Sequence, residues 1–249
     1  MSDPLSIARP LKRALRGFMS LLGGEIEATS PESQQLFFEK LAVTEKSSDG
    51  HGFNRFQRML RRVRNLHDYS PVRTPKSPLG TFGGRPIIGE STPINGGIYL
   101  GVTPQEAIVV DDKHGGLERL YKELVVRLSE VSLDRALEEK EILPEVAALV
   151  AKHLKFNERA VTAACEREGV QADEKVAIDM FLYEGVGAAR HQVLTAAYLI
   201  ERLKVRNLLQ GCVSIESTST HLMGGDERLT YTSPRGYLFI FDPLKQQNR

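Results

Sequence analysis

The strongest hydrophobic pattern in the sequence lies between Glu184 and Leu203. Gly185 and Gly187 favour a turn at its beginning. Apolar residues then recur at nearly helical period, at Val193, Leu194, Ala196, Ala197, Leu199, Ile200 and Leu203. The pattern predicts a buried helix that begins near Ala188 to His191, with the free N–H groups and positive partial charge of a helix N-terminus.

Amphipathic patterns, clearest over residues 116–131, predict helices elsewhere in the chain. They cover residues 5–22, 53–66, 116–131, 144–154 and 157–168, and one more begins at Ser30. Ser30 and the proline after it are typical of a helix start, and Pro144 is expected to open its helix for the same reason. The helix at 5–22 has a basic polar face, which is found in terminal helices and also in helices that bind a partner or a membrane surface.

Strand patterns follow the helices. Residues 97–102 and 107–112 predict a hairpin around Thr103-Pro104-Gln105-Glu106, and three later strands are expected at residues 212–217, 227–232 and 237–241. Helices that precede an antiparallel sheet indicate an α+β fold with a helical N-terminal part.

Composition suggests three regions. Residues 1–70 are helical and basic, residues 71–96 alternate proline with glycine, and residues 97–249 form the remaining domain. Proline and glycine exclude a helix from the middle region, which is therefore predicted to be a linker. Charge follows the same division, because residues 1–85 carry a net charge of +6 and the rest of the chain carries −5.

Five arginines and no acidic residue occur on the predicted helix at 53–66. They are Arg55, Arg58, Arg61, Arg62 and Arg64. Such a surface contacts phosphates in many nucleic-acid-binding proteins. The aromatic residues Phe53 and Phe56, however, fall on the apolar stripe and are expected in the core. A solvated face, or one that pairs with the acidic C-terminal part, is the favoured interpretation.

Only two cysteines occur, Cys165 and Cys212, and no apolar segment is long enough to cross a membrane. Two cysteines do not make a disulfide framework, which indicates a reducing, cytoplasmic setting. Both thiols are expected to be packed as small hydrophobic groups.

Three short blocks near the C-terminus occur in an informative order. They are Gly185-Val186-Gly187-Ala188-Ala189-Arg190-His191, Gly224-Gly225-Asp226-Glu227-Arg228 and Phe239-Ile240-Phe241-Asp242-Pro243. Their order and spacing resemble a bacterial branch of the transglutaminase-like superfamily, whose fold is related to that of papain-type cysteine proteases. The resemblance is strongest over residues 140–245. It implies a core in which the helix of the nucleophile packs on an antiparallel sheet.

The resemblance places Ala189, Asp226 and Asp242 at the positions of the catalytic cysteine, histidine and acid, and Arg228 at a tryptophan position. Acyl transfer by cysteine needs a thiolate and an imidazole that moves the proton. Ala189 has no thiol, and an aspartate, whose ordinary pKa is far below 7, does not replace a neutral imidazole. We therefore expect a natural pseudoenzyme that binds a protein or peptide. The alternative is a cysteine-dependent protease, amidase or transglutaminase-type acyl transferase that was inactivated by engineering at position 189.

Residues near the triad positions are candidates for lining the former groove. They are Arg190, His191, His221 and Arg228. His191 matches a histidine of the family motif and is interpreted as structural. An ion pair of Asp226 with Arg190 or Arg228 is expected to close the groove, because unpaired charges are costly to bury. Partner binding would then use the basic N-terminal helices.

No metal or cofactor is predicted. Asp111, Asp112 and His114 resemble a metal-ligand cluster, but a polar turn is the favoured interpretation. The expected partner is another protein or a peptide, and the alternative is a nucleic acid or an anionic membrane that contacts the basic N-terminal region.

Overall fold

A computed structural model describes residues 51–89, 92–132, 137–217 and 227–246. It is a mixed α/β structure with several small sheets, which is compatible with the predicted α+β class. The helices predicted at residues 5–22 and from Ser30 lie outside the described residues. So do Asp226 and His221.

The first described helix, α1, covers His51–Val63 and is followed by a small antiparallel sheet. This sheet has the order β1 (Tyr69–Ser70), β2 (Thr81–Phe82) and β3 (Arg85–Pro86). Met59 and Val63 of α1 pack in one cluster with Phe82 and Ile87. The helix predicted at residues 53–66 is therefore present, and it ends three residues earlier than expected.

The proline- and glycine-rich segment 71–96 is packed, so the prediction of a linker does not match the structure. Phe82, Ile87, Ile88 and Ile94 are all buried, and the described residues on both sides belong to one compact unit. Composition predicted the absence of helix correctly. Composition alone did not reveal that these apolar side chains join the core. Turns with glycines at positive φ direct the chain back toward the core.

The predicted hairpin is present but short, with β4 (Ile98–Tyr99) antiparallel to β5 (Ala107–Val109). A third strand, β7 (Lys175–Ala177), pairs in parallel with β5. This long-range pairing was not predicted. It is extended by backbone hydrogen bonds from Asp173 N to Gln105 O and from Ala107 N to Glu174 O.

Three helices lie between these strands: α2 (Gly116–Ser132), α3 (Glu139–His153) and α4 (Glu158–Arg167). Helix α3 begins five residues before the predicted start, so Pro144 lies inside it. Glu141 explains the earlier start, because its Oε2 accepts a hydrogen bond from Glu138 N at 2.9 Å. The buried residues Ile142 and Leu143 then offset the backbone hydrogen bond that the proline cannot make.

Strand β6 (Lys155–Phe156) pairs in parallel with β8 (Val186–Gly187), and helix α5 (Ile178–Glu184) precedes β8. Gly185 ends α5 at a φ of 68°, in the left-handed region that favours glycine. A Cβ on Gly187 would lie 3.1 Å from the Cβ of His191. The two glycines therefore permit the tight passage from α5 through β8 into the next helix.

That helix, α6 (Ala189–Val205), is the predicted central helix, and residues along most of its length are buried. It packs on a three-stranded antiparallel sheet with the order β11 (Leu238–Phe241), β10 (Glu227–Thr232) and β9 (Cys212–Ser217). Leu229, Tyr231 and Phe241 share the main hydrophobic cluster with α6. A short helix, α7 (Pro243–Gln246), follows the sheet.

Among the described helices, none has both the length and the apolar content required to span a membrane.

Candidate functional site

The N-terminus of α6 is where the resemblance places a nucleophile. Ala188 is the N-cap residue in extended conformation, and Ala189 is the first helical residue. Ala189 is only 3% exposed. A methyl group therefore occupies the position at which a thiol would benefit from the positive partial charge of the helix end.

The residue after Ala189 takes part in a largely buried ion pair. Nε and Nη2 of Arg190 both lie 2.7 Å from Oε1 of Glu106, and the two side chains are 13% and 6% exposed. Glu106 belongs to the loop between β4 and β5. The sequence predicted an ion pair of Asp226 with Arg190 or Arg228. Asp226 lies outside the described residues, so that pair stays a prediction, and Glu106 is a partner of Arg190 that was not predicted.

His191 is fully buried and makes two close polar contacts. Its Nδ1 accepts a hydrogen bond from Ala188 N at 3.0 Å. Its Nε2 lies 3.2 Å from Glu106 Oε1, a close polar contact without the geometry of a hydrogen bond. The ring also packs against Phe181, with 3.9 Å between ring centroids.

These surroundings fix the charges of the cluster. Burial lowers the pKa of His191 to about 4, so the ring is neutral at pH 7 with its proton on Nε2. Burial alone would raise the pKa of Glu106, but contact with His191 and the charge of Arg190 outweigh it and lower the pKa to about 2. A neutral imidazole and an ionised carboxylate therefore stabilise this helix end, in agreement with a structural interpretation of His191.

A cavity of about 250 Å³ adjoins the ion pair and is lined in part by Glu106, Arg190 and Cys165. Burial, and then the negative charge of Glu106, raise the pKa of the Cys165 thiol to about 11. The thiolate that nucleophilic catalysis requires is thus disfavoured. Cys212 is exposed, so the prediction that both cysteines are packed is wrong for that residue.

The remaining triad positions lie near the last sheet. Asp242 directly follows β11, and its Oδ1 accepts a hydrogen bond from Leu244 N at 3.2 Å at the start of α7. Arg228 is half-buried on β10, where its Cα pairs with that of Glu216 on β9. Because Asp226 and His221 lie outside the described residues, the convergence of Ala189, Asp226 and Asp242 stays a prediction.

Asp111 and Asp112 have protein partners. Asp111 Oδ2 accepts a hydrogen bond from Arg85 at 2.8 Å, and Asp112 Oδ2 accepts one from Arg202 at 2.9 Å. Within the described ranges, no group of three or more histidine, cysteine or acidic residues is arranged to hold a metal ion.

The arginines in and just after α1 divide into two kinds, apart from Arg55, whose side chain lies outside the described part of the chain. Arg62 binds Asp173 at 2.6 Å and donates to Gly101 O at 3.0 Å, so it joins α1 to the loop before β7. Arg58, Arg61 and Arg64 are exposed; we call these three the arginine row. Their spacing of three residues places neighbouring members on adjacent turns. Arg61 and Arg64 make no side-chain hydrogen bond or ion pair among the residues that the structure describes.

Glu106 and Asp173 are the site residues that the sequence did not identify. Their partners are 84 and 111 residues away in the chain. No local pattern marks a single acid in a turn as the partner of a distant arginine, so both ion pairs require the tertiary structure.

Comparison of the chain with family models, with curated proteins and with solved structures finds no match in any of the three.

Proposed function

We propose that this chain is a non-catalytic transglutaminase-like protein that binds another protein or a peptide. The observation that carries the proposal is the buried methyl group of Ala189 at the N-terminus of α6, followed by the ion pair of Arg190 with Glu106. A protein with this arrangement lacks a nucleophile at the motif position.

The papain-like core is part of this proposal. Its support is the order of α6, β9, β10 and β11, with α6 packed on an antiparallel sheet. The motif positions follow that order, since Ala189 begins the helix and Asp242 follows the last strand. A cytoplasmic location also belongs to the proposal, and it rests on the small number of cysteines.

The arginine row is the proposed contact surface for the partner. Arginine is enriched at the energetic centres of protein interfaces, and exposed arginines form bidentate contacts with carboxylates. Because the row has no acidic neighbour on α1, the expected partner presents acidic side chains. A protein is preferred to a nucleic acid because Phe56 packs in the core cluster of α1, where it does not offer a platform for stacking bases.

The alternative is an enzyme whose residue 189 has been changed. It explains Ala189 but leaves Asp226 and Arg228 unexplained, since both also differ from the motif. The raised pKa of Cys165 gives no support to a substitute nucleophile.

Photo-crosslinking from position 67 tests the binding proposal. His67 is exposed and follows α1, so a photo-reactive phenylalanine analogue there should crosslink whatever contacts the arginine row. We expect a product in intact cells that protease destroys and nuclease leaves unchanged. The purified partner should then bind the Arg61→Ala/Arg64→Ala protein about five- to tenfold more weakly, because each exposed charge contributes up to about 1 kcal/mol.

The matched control is Arg119→Ala/Arg159→Ala, which removes two exposed arginines outside the row and should leave the affinity unchanged. A crosslinked product that nuclease removes would assign a nucleic acid to this surface. Equal affinities of the two double variants would exclude the arginine row as the binding surface.

A further inference from the structure

A second cavity, of about 230 Å³, lies between the segment before β4, helix α6 and strand β9. It is separate from the N-terminus of α6, because the residues of α6 that line it are Ala197, Glu201 and Lys204. The other walls include Thr92, Ile94 and Ile215. Both polar and apolar groups therefore face one small space.

Thr92 contributes a buried hydroxyl group. The residue is 6% exposed, and its Oγ1 makes no hydrogen bond in the part of the chain that the structure describes. A buried hydroxyl without a partner is unfavourable, and such groups are rare in native structures. A ligand that supplies the missing hydrogen bond would remove this cost.

Glu201 and Lys204 place opposite charges on one face of α6, since residues three apart in a helix are neighbours. Glu201 is oriented by backbone donors: its Oε1 accepts from Ile94 N at 3.1 Å and its Oε2 accepts from Asn95 N at 2.9 Å. An ionised carboxylate has about four acceptor sites, so acceptor capacity remains. Lys204 is half-buried, and no ion pair of its ammonium group occurs among the described residues.

The apolar wall completes the cavity. It comprises Ile94, Ala197, Val213 and Ile215. Small-molecule sites combine such a wall with a few polar groups that fix the orientation of the ligand. The volume is below the usual range for drug-sized ligands, about 300–1,000 Å³, so the occupant must be small.

We propose that this cavity binds a free α-amino acid with an aliphatic side chain. Its carboxylate pairs with the Lys204 ammonium and accepts a hydrogen bond from the Thr92 hydroxyl. Its ammonium group binds the oriented carboxylate of Glu201, and its side chain lies on the apolar wall. A simple amine would leave the Lys204 ammonium without a counter-charge, and a simple acid would leave the remaining acceptor sites of Glu201 unused, which disfavours both classes.

The proposal is independent of the protein-binding function, and it is tested on the full chain by calorimetry. L-leucine is the probe, and 4-methylpentanoate and 3-methylbutylamine are analogues that each lack one charged group. We expect L-leucine to bind at least about tenfold more tightly than either analogue. Equal binding of leucine and 4-methylpentanoate would establish an anion site instead. If leucine, isoleucine and valine, each at about 10 mM, show no binding, the proposal is overturned.

Variants connect the binding to this cavity. Lys204→Met should weaken leucine binding about tenfold or more, and Thr92→Val, which keeps the shape, about fivefold. Lys155→Met removes an exposed lysine elsewhere and should bind like the wild type. Thr92→Val should also raise the melting temperature of the ligand-free protein, because it removes the unpaired hydroxyl. If Lys204→Met and Lys155→Met bind leucine equally, the ligand lies outside this cavity.

Discussion

Replacement of Glu106 by leucine should lower the free energy of unfolding by about 3–5 kcal/mol, because it leaves the Arg190 guanidinium buried without a counter-charge. The two side chains are 6% and 13% exposed, so solvent cannot replace the lost partner. The low pKa of Glu106, about 2 against an ordinary 4.5, agrees with this magnitude. A shift of that size corresponds to about 3 kcal/mol in favour of the ionised form. Denaturant unfolding at pH 7 measures the loss.

Two further variants separate charge pairing from packing. The double variant Glu106→Leu/Arg190→Met replaces the pair by apolar groups and should recover most of the loss, as other buried ion pairs do. Glu123→Gln is the control, because Glu123 pairs with Lys152 and His153 at a half-exposed site. It should cost at most about 1 kcal/mol. A loss below that value for Glu106→Leu, or no recovery in the double variant, would contradict a stabilising buried pair.

The second large effect is a loss of stability in mild acid that depends on His191. The unfolded chain protonates this histidine near pH 6.5, whereas burial lowers the pKa in the folded protein to about 4. The unfolded state therefore binds more protons between these values, and the free energy of unfolding falls as the pH falls from 6.5 to 4. The full difference is about 3 kcal/mol. Glu106 adds a further loss from about pH 4.5 downward, since its folded pKa is also lowered.

In the His191→Gln variant, the free energy of unfolding should no longer fall as the pH is lowered from 6.5 to 4.5. Glutamine cannot be protonated there, yet at the third helical position its side chain can accept the Ala188 N–H hydrogen bond as His191 does. Unfolding curves at four pH values between 7 and 4.5 give the slope. His114→Gln changes an exposed imidazole and should keep the slope of the wild type. An unchanged slope in His191→Gln would show that another group titrates.

The sequence predicted elements best where one local pattern agrees with burial. Helix α6 has apolar residues on most of its surface and two glycines before it, and it begins at Ala189, inside the range 188–191 predicted for its N-terminus. Strands β9 and β10 were predicted with their observed bounds. Local patterns failed at Pro144, where capping by Glu141 starts the helix before the proline.

The features that the sequence did not predict depend on contacts between residues that are far apart in the chain. Strand β7 has three residues, and its pairing with β5 is visible only in the fold. Segment 71–96 has the composition of a linker, but Ile87 packs with residues from both sides of the segment and Ile88 packs with residues that follow it. At the site, the motif identified Arg190 and His191 and predicted that Asp226 pairs with Arg190 or Arg228. Asp226 lies outside the described residues, and the acid that the structure pairs with Arg190 is Glu106.

The most direct test of the non-catalytic function measures ammonia release from a glutamine-containing peptide in the presence of a primary amine. We expect the native protein to release no more ammonia than heat-unfolded protein, because Ala189 offers no thiol and the pKa of the Cys165 thiol is raised to about 11. The Ala189→Cys/Asp226→His variant, which restores two motif residues, is the comparison for a gain of activity. Turnover by the native protein that iodoacetamide or Cys165→Ser abolishes would contradict a non-catalytic function.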